Sequence, residues 1–275
     1  MSSITKFAYY PGCSLEGLAT EAEEALLEVA KYWDIELIEI PDWNCCGSSS
    51  AHNLCEDLAR KLTWRILASL PNNTSEILTL CPSCFDRLRL GLFEAQKNPK
   101  KFLTLFGQKP NPSWKIRHFV EVLASFPWHK IKGKPLSGLR LAPYYGCLLY
   151  VPAKLPPPME DGLMEKMLSS LGAEIVPWPY AKQCCGTYLS IIKPDFVSGI
   201  VRRMMMEAQK IQVDALVTHC VMCQMNLEMR APVKVDLPVF HLSELLALGL
   251  GQAHISWFKK HLLDPLPLLL KKGFC

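Results

Sequence analysis

Apolar positions along the chain switch between two periods, and the switch recurs. Phe7-Ala8-Tyr9-Tyr10 is an apolar run of strand length, followed by Leu18, Ala22, Leu26, Val29 and Trp33 at helical spacing. Ile35 to Ile40 reads as a second strand, Leu54 to Leu70 as a second helical stripe, and Ile77 to Leu80 as a strand that runs directly into Cys81. The order then returns: Leu139 to Tyr145, a helix over Gly162 to Leu171, Glu174 to Val176, a helix over Phe196 to Ile211, and Ala215 to Thr218 ahead of Cys220. Strands alternating with helices predict an α/β fold with parallel sheets. Here they predict two tandem, pseudo-two-fold-related α/β halves, 1-130 and 137-250, and a mainly helical C-terminal tail, 251-275. Pro127 to Leu136, with three lysines, is the expected linker, and Pro156-Pro157-Pro158 is expected to be a rigid loop inside the second half.

Words of sequence repeat along with the periodicity. Tyr9-Tyr10-Pro11-Gly12-Cys13 is echoed by Pro143-Tyr144-Tyr145-Gly146-Cys147, and Pro41-Asp42-Trp43 by Pro177-Trp178-Pro179. His118-Phe119-Val120-Glu121 is echoed by His241-Leu242-Ser243-Glu244, and both read as weakly capped helix starts. The strongest echo is in the cysteines. Cys13, Cys45-Cys46-Gly47 and Cys81-Pro82-Ser83-Cys84 return as Cys147, Cys184-Cys185-Gly186 and Cys220-Val221-Met222-Cys223, with intervals of 31 against 36 residues and then 34 against 34. In a parallel α/β unit the carboxyl ends of the strands share one edge, so each set of five is predicted to converge. Two metal sites, one per half, follow from that spacing.

Composition supports ligands rather than cystines. At 275 residues and 49% hydrophobic, the chain has ample core without disulfide staples. The opening Met1-Ser2-Ser3-Ile4-Thr5-Lys6-Phe7 has no secretory pattern, and no apolar run reaches the roughly 18 residues of a membrane span, so a cytoplasmic location is expected. In a reducing compartment, ten of twelve cysteines in two matched sets read as metal or redox groups. A net charge of +4 is too small and dispersed to imply nucleic acid.

Five thiolates per site weigh against structural zinc, which takes four ligands, and a Cys-Cys pair chelating one ion strains the backbone between them. An iron-sulfur centre removes both objections, because adjacent cysteines can bind different irons. Zinc and a metal-free redox dithiol remain the alternatives from the residues alone. The chain lacks the tight four-cysteine run of a bacterial ferredoxin, and Gly249-Leu250-Gly251 falls short of a dinucleotide fingerprint. Electrons are therefore expected to come from partners rather than from a bound nicotinamide or flavin.

These motifs, in order and complete in both halves, resemble the CCG-domain (cysteine-rich domain) family, and in particular the B-type component of heterodisulfide reductase and its bacterial homologues. The resemblance runs from Tyr9 to about Arg230 and includes the ending Asp264-Pro265-Leu266-Pro267. It implies two non-cubane [4Fe-4S] clusters, one held by Cys13, Cys45, Cys46, Cys81 and Cys84 and the other by Cys147, Cys184, Cys185, Cys220 and Cys223. It also implies a ferredoxin-like iron-sulfur partner (the C-type component), a flavoprotein partner (the A-type component), and thiol-disulfide redox catalysis on a disulfide lodged between the halves. Two one-electron centres suit a two-electron cleavage. A relay or membrane-attachment component of a succinate or hydroxyacid dehydrogenase is the second reading, and a structural zinc protein the third. The leucine-rich tail with Lys259, Lys260, Lys271 and Lys272 is where an interfacial helix would lie, although Pro265 and Pro267 interrupt it and favour packing on the protein body.

His52 and His219, beside the cysteine loops, are the candidate catalytic proton donors, with loop hydrogen bonding as the simpler role. Arg87, Arg89 and Arg230, just past the CxxC segments, read as solvated charges or as attractors of an anionic substrate. Met204-Met205-Met206 is expected to be packing, Cys55 a small buried hydrophobe, and Cys275 exposed and free.

Overall fold

In the computed structural model, which describes residues 5–48, 51–71, 74–150, 154–157 and 159–274, each half builds a four-stranded sheet. The first half runs β1 (Thr5–Tyr10), α1 (Cys13–Leu18), α2 (Thr20–Tyr32), β2 (Ile35–Glu39), α3 (Ala51–Leu54), α4 (Glu56–Ala68), β3 (Glu76–Thr79), α5 (Pro82–Lys97), α6 (Pro99–Phe106), β4 (Lys115–His118) and α7 (Phe119–Ala124). The second runs β5 (Arg140–Tyr144), α8 (Leu163–Ser170), β6 (Glu174–Ile175), α9 (Pro194–Lys210), β7 (Ala215–Thr218), α10 (Val221–Met229), β8 (Val239–His241) and α11 (Leu242–Gly249), and the tail adds α12 (Ile255–Phe258) and α13 (Leu266–Lys272). Strand orders are β2-β1-β3-β4 and β6-β5-β7-β8, and every pairing is parallel.

Side chains alternate along these strands and so divide between two cores. In β1, Phe7 and Tyr9 face a core common to both halves, while Ala8 and Tyr10 face a core made mainly by the first half, with Leu149 added from the second. β5 and β7 do the same, sending Leu141, Ala215 and Val217 to the common core and Ala142, Tyr144 and Leu216 to that of the second half. In the common core α2 packs on α11, and its counterpart α8 packs on α7, as a pseudo-two-fold axis requires. The 127–136 segment expected as a linker is packed in as well, with Trp128 and Leu136 fully enclosed.

Several expectations shift. The stripe beginning at Leu18 is two helices, because the helix is interrupted at Ala19 between α1 and α2; Leu18 is 66% exposed, while Ala22, Leu26 and Val29 are buried and Trp33 packs half-buried on the common core. Cys55 is exposed, contrary to expectation, because it is the extended N-cap residue between α3 and α4 rather than part of a continuous helix. Met204 and Met205 are core residues as expected, whereas Met206 is partly exposed. Met1–Ile4, Pro158 and Cys275 lie outside the described residues.

Both repeated histidines start helices. His241 Nδ1 accepts the Ser243 amide while Glu244 accepts the His241 amide at 2.7 Å, a reciprocal cap; His118 accepts the Val120 amide, but Glu121 turns instead to Arg117. The tail docks on both halves. Trp257 donates to Glu24, Lys272 pairs with Asp214, and Trp257, Phe258 and Leu269 are buried in the common core. His261 sits between Glu228 and Glu244 at 2.9 Å from each. Burial disfavours its charged form, but Glu244 and Glu228 outweigh burial and raise it to about 10.

His261→Ala is expected to cost about 3–5 kcal/mol near neutral pH, since it leaves two carboxylates facing one another in the interior. Because the folded value exceeds the ordinary one near 6.5, the stabilisation is complete below about pH 6.5 and is lost as pH rises through about 10. Denaturant titration at several pH values should therefore show the gap between wild type and variant narrowing with alkalinity; a constant gap would assign it to packing.

Candidate metal centres

The sheet order makes each site. From β1 the chain crosses to one side to form β2 and to the other to form β3, so the crevice at the carboxyl ends of β1 and β3 is a topological switch point. Cys13 opens α1 just beyond β1, Cys81 caps α5 just beyond β3, and Cys84 lies in the first turn of α5. The Cys45-Cys46 loop arrives from β2. In the second half Cys147 follows β5, Cys184-Cys185 follows β6, Cys220 caps α10, and Cys223 lies in its first turn.

All five cysteines of each half are thereby brought together around one cavity. In the first set Cys13 and Cys45 sulfurs are 3.7 Å apart and those of Cys46 and Cys84 are 3.3 Å apart; in the second, Cys185 and Cys223 are 3.4 Å apart. The repeated flanking words hold the loops in place. Tyr10 donates to the Asn44 carbonyl at 2.8 Å, and its counterpart Tyr144 donates to that of Gln183 at 2.6 Å, each fixing the residue before the Cys-Cys pair. Trp43 and Trp178 pack edge-on against those same tyrosines. The glycine of each Cys-Cys-Gly adopts positive φ and turns its amide back onto the first sulfur of the pair. Gly12 and Gly146 are left-handed too, and a Cβ on them would lie 3.1 Å from the Cys84 sulfur and 3.4 Å from that of Cys223.

Crowding governs the charge. Hydrogen bonds with Cys13 and Cys147 hold Cys45 and Cys184 below the usual thiol range, and the same contacts, with burial, push Cys13 and Cys147 up. Contacts with Cys46 and Cys81 raise buried Cys84, and contacts with Cys185 and Cys220 raise Cys223. Five sulfurs in this space can share protons, but they cannot all ionise without a cation among them.

A model of the CCG cysteine-rich domain matches residues 7–89 and again 141–228. The chain belongs to the CCG cysteine-rich domain family. It is 31% identical over 269 residues to the membrane anchor component of the 8-methylmenaquinol:fumarate reductase of Wolinella succinogenes, covering 90% of this chain and 92% of the relative. It is 25% identical to the B-type component of the ferredoxin:CoB-CoM heterodisulfide reductase of Methanosarcina mazei, covering 90% of each. In fold it is similar to a hypothetical protein from Helicobacter pylori, with a TM-score of 0.71 at 10% identity, covering 96% of this chain and 53% of that one.

The two CCG sites adjoin. A cavity of about 220 Å³ lies over the first set and one of about 20 Å³ over the second, and Ser83, Thr187, Tyr188 and Met222 line both. Tyr188, from the second CCG loop, crosses to the first half, with its hydroxyl 2.9 Å from Ser48 Oγ and 2.6 Å from Ser83 Oγ. No repeat or motif singles out this tyrosine in the sequence. Neither candidate histidine lines these cavities. His52 lines a separate one with Asp86 and Arg87, and His219 is fully buried, its Nε2 2.9 Å from the Tyr145 carbonyl and its pKa lowered by burial to about 3. The arginines also lie elsewhere: Arg89 over Phe85 and against Pro156, Arg230 against Asn226.

Gly107→Ala should cost about 1–2 kcal/mol of backbone strain at a left-handed position, and Gly12→Ala about 1–3 kcal/mol, since its extended ψ at positive φ is a region that glycine alone commonly occupies. Only Gly12→Ala crowds a cysteine sulfur, while a Cβ at Gly107 meets nothing within 4 Å. Metal content per chain is therefore expected to fall in Gly12→Ala and to hold in Gly107→Ala, and equal content in the two would remove the glycine from the site.

Proposed function

We propose that this CCG protein is the cluster-bearing catalytic component of a heterodisulfide reductase-like complex, reducing or forming a disulfide at two [4Fe-4S] clusters of the non-cubane kind. The observation that carries this reading is the pair of five-cysteine sets facing a common space, with four residues lining both cavities. The donor sets fit such a group: sulfur alone, five per site, an adjacent pair in each, and a glycine approach that a Cβ would obstruct. Cys13, Cys45, Cys46, Cys81 and Cys84 would hold one cluster and Cys147, Cys184, Cys185, Cys220 and Cys223 the other. When bound, the clusters supply one-electron capacity and an iron that accepts sulfur.

The chain's own residues do the rest. Met222 and the Tyr188 ring give the shared mouth an apolar wall that limits water, and Ser48, Ser83 and Tyr188 place hydroxyls where a sulfur gains charge. His52 and His219 are assigned no proton step, since neither lines the mouth. Electrons would be exchanged with a ferredoxin-like iron-sulfur partner and, through it, a flavoprotein.

A second reading, an electron-relay or membrane-attachment role, is supported by the 31% identity to the Wolinella protein. Among the described residues no helix is long and apolar enough to cross a membrane, and the tail commits Trp257, Phe258 and Leu269 to the common core.

Anaerobic isolation with iron, sulfide and zinc analysis should give about eight irons per chain and little zinc. Cys81→Ser and Cys220→Ser should abolish different paramagnetic signals, and a thiol should perturb those of the wild type. Zinc without iron would overturn the cluster assignment; thiol-insensitive signals together with salt-resistant membrane sedimentation would favour the second reading.

A further inference from the structure

The two sites are alike in ligands and unlike in what surrounds them. At the third position of CxxC the first has Ser83 and the second has Met222. Tyr188 adds its hydroxyl to Ser48 and Ser83 on the first site, so three hydroxyls cluster at the mouth of the larger cavity. Their two mutual hydrogen bonds use two of three O–H protons, leaving one for a ligand. Met222 and Ile191 also line that cavity, the latter 94% exposed. Among the described residues no Lys, Arg, His, Asp or Glu lines either cavity.

We propose that the first site is where substrate enters, and that its substrate is a neutral thiol or disulfide on an alkyl arm rather than an anionic one. This rests on the thiol-disulfide reading above. With a metal group held by the five sulfurs, what the chain would offer a ligand is the Tyr188 and Ser83 hydroxyls for its sulfur and Met222 and Ile191 for its alkyl chain. A sulfonate or phosphate brought to this wall loses water and gains no cation, a net cost. Ser48 and Ile191 line the cavity of the first site and not that of the second, which places the arm at the first. Tyr188 is thus a positioning residue contributed by one half to the site of the other.

Titration of the iron-loaded protein with mercaptopropanol and with mercaptopropanesulfonate, followed by paramagnetic resonance, tests this without turnover. The alcohol is expected to half-saturate the spectral change at a concentration at least about tenfold below that of the sulfonate, which differs in charge more than in length. Tyr188→Phe should weaken mercaptopropanol by about tenfold and leave the thiol-free spectrum as it was. Ile191→Lys, at a solvent-exposed position that leaves the fold intact, should improve sulfonate binding and close the gap. Equal or tighter binding of the sulfonate by wild type would overturn the neutral-substrate assignment while leaving the thiol-disulfide reading in place. No response to either thiol would overturn both.

Discussion

Thiolates repel one another, and the molecule gathers five cysteine sulfurs in one place twice. Each set is assembled where a parallel sheet reverses its winding, so no cysteine comes from the middle of an element: each stands at a strand end, in the loop beyond, or in the first turn of a helix. Protons held between the sulfurs relieve that repulsion, and a positive centre is what would let all five ionise together. Much of the local architecture answers that constraint. Tyr10 and Tyr144 pin the carbonyl before each Cys-Cys pair, tryptophans brace the tyrosines, and left-handed glycines let the backbone pass close to sulfur.

These features were legible in the sequence to different degrees. The cysteine spacing and the Tyr-Gly-Cys and Trp echoes pointed to the right places because duplication wrote them twice, and the first three strands of each half were visible as short runs between the helical stripes. β4 escaped because Lys115, Arg117 and His118 leave it a single aliphatic residue, and β8 because Val239-Phe240-His241 is a short run directly after Pro238, although the His118 and His241 echoes lie at their ends. The break at Ala19 and the N-cap position of Cys55 were hidden by apolar residues whose spacing runs on across the interruptions. Tyr188 was illegible for a deeper reason: its partners are 140 and 105 residues away in the other half, and nothing local records such a contact.

Likeness between the halves is greatest where the fold is under most constraint and least at the shared mouth. Both sheets, both tyrosine pins and both glycine approaches match, while Ser83 faces Met222 across the two sites. The helix caps have also drifted, His241 with Glu244 forming a reciprocal pair and His118 losing Glu121 to Arg117. Glu244, freed from an arginine, is one of the two carboxylates that receive His261 and fasten the tail.

The common core sets an order of events during synthesis. The first half leaves the ribosome early with Leu26, Phe119 and Leu123 lacking their opposite numbers, and those arrive only with α8, α11 and finally Trp257, Phe258 and Leu269. Until then the nascent chain presents an apolar face next to five reactive thiols, a combination prone to aggregation and to oxidation. Completion of the common core therefore waits on Trp257, Phe258 and Leu269, and the first five-cysteine set is assembled well before the apolar face beside it is covered.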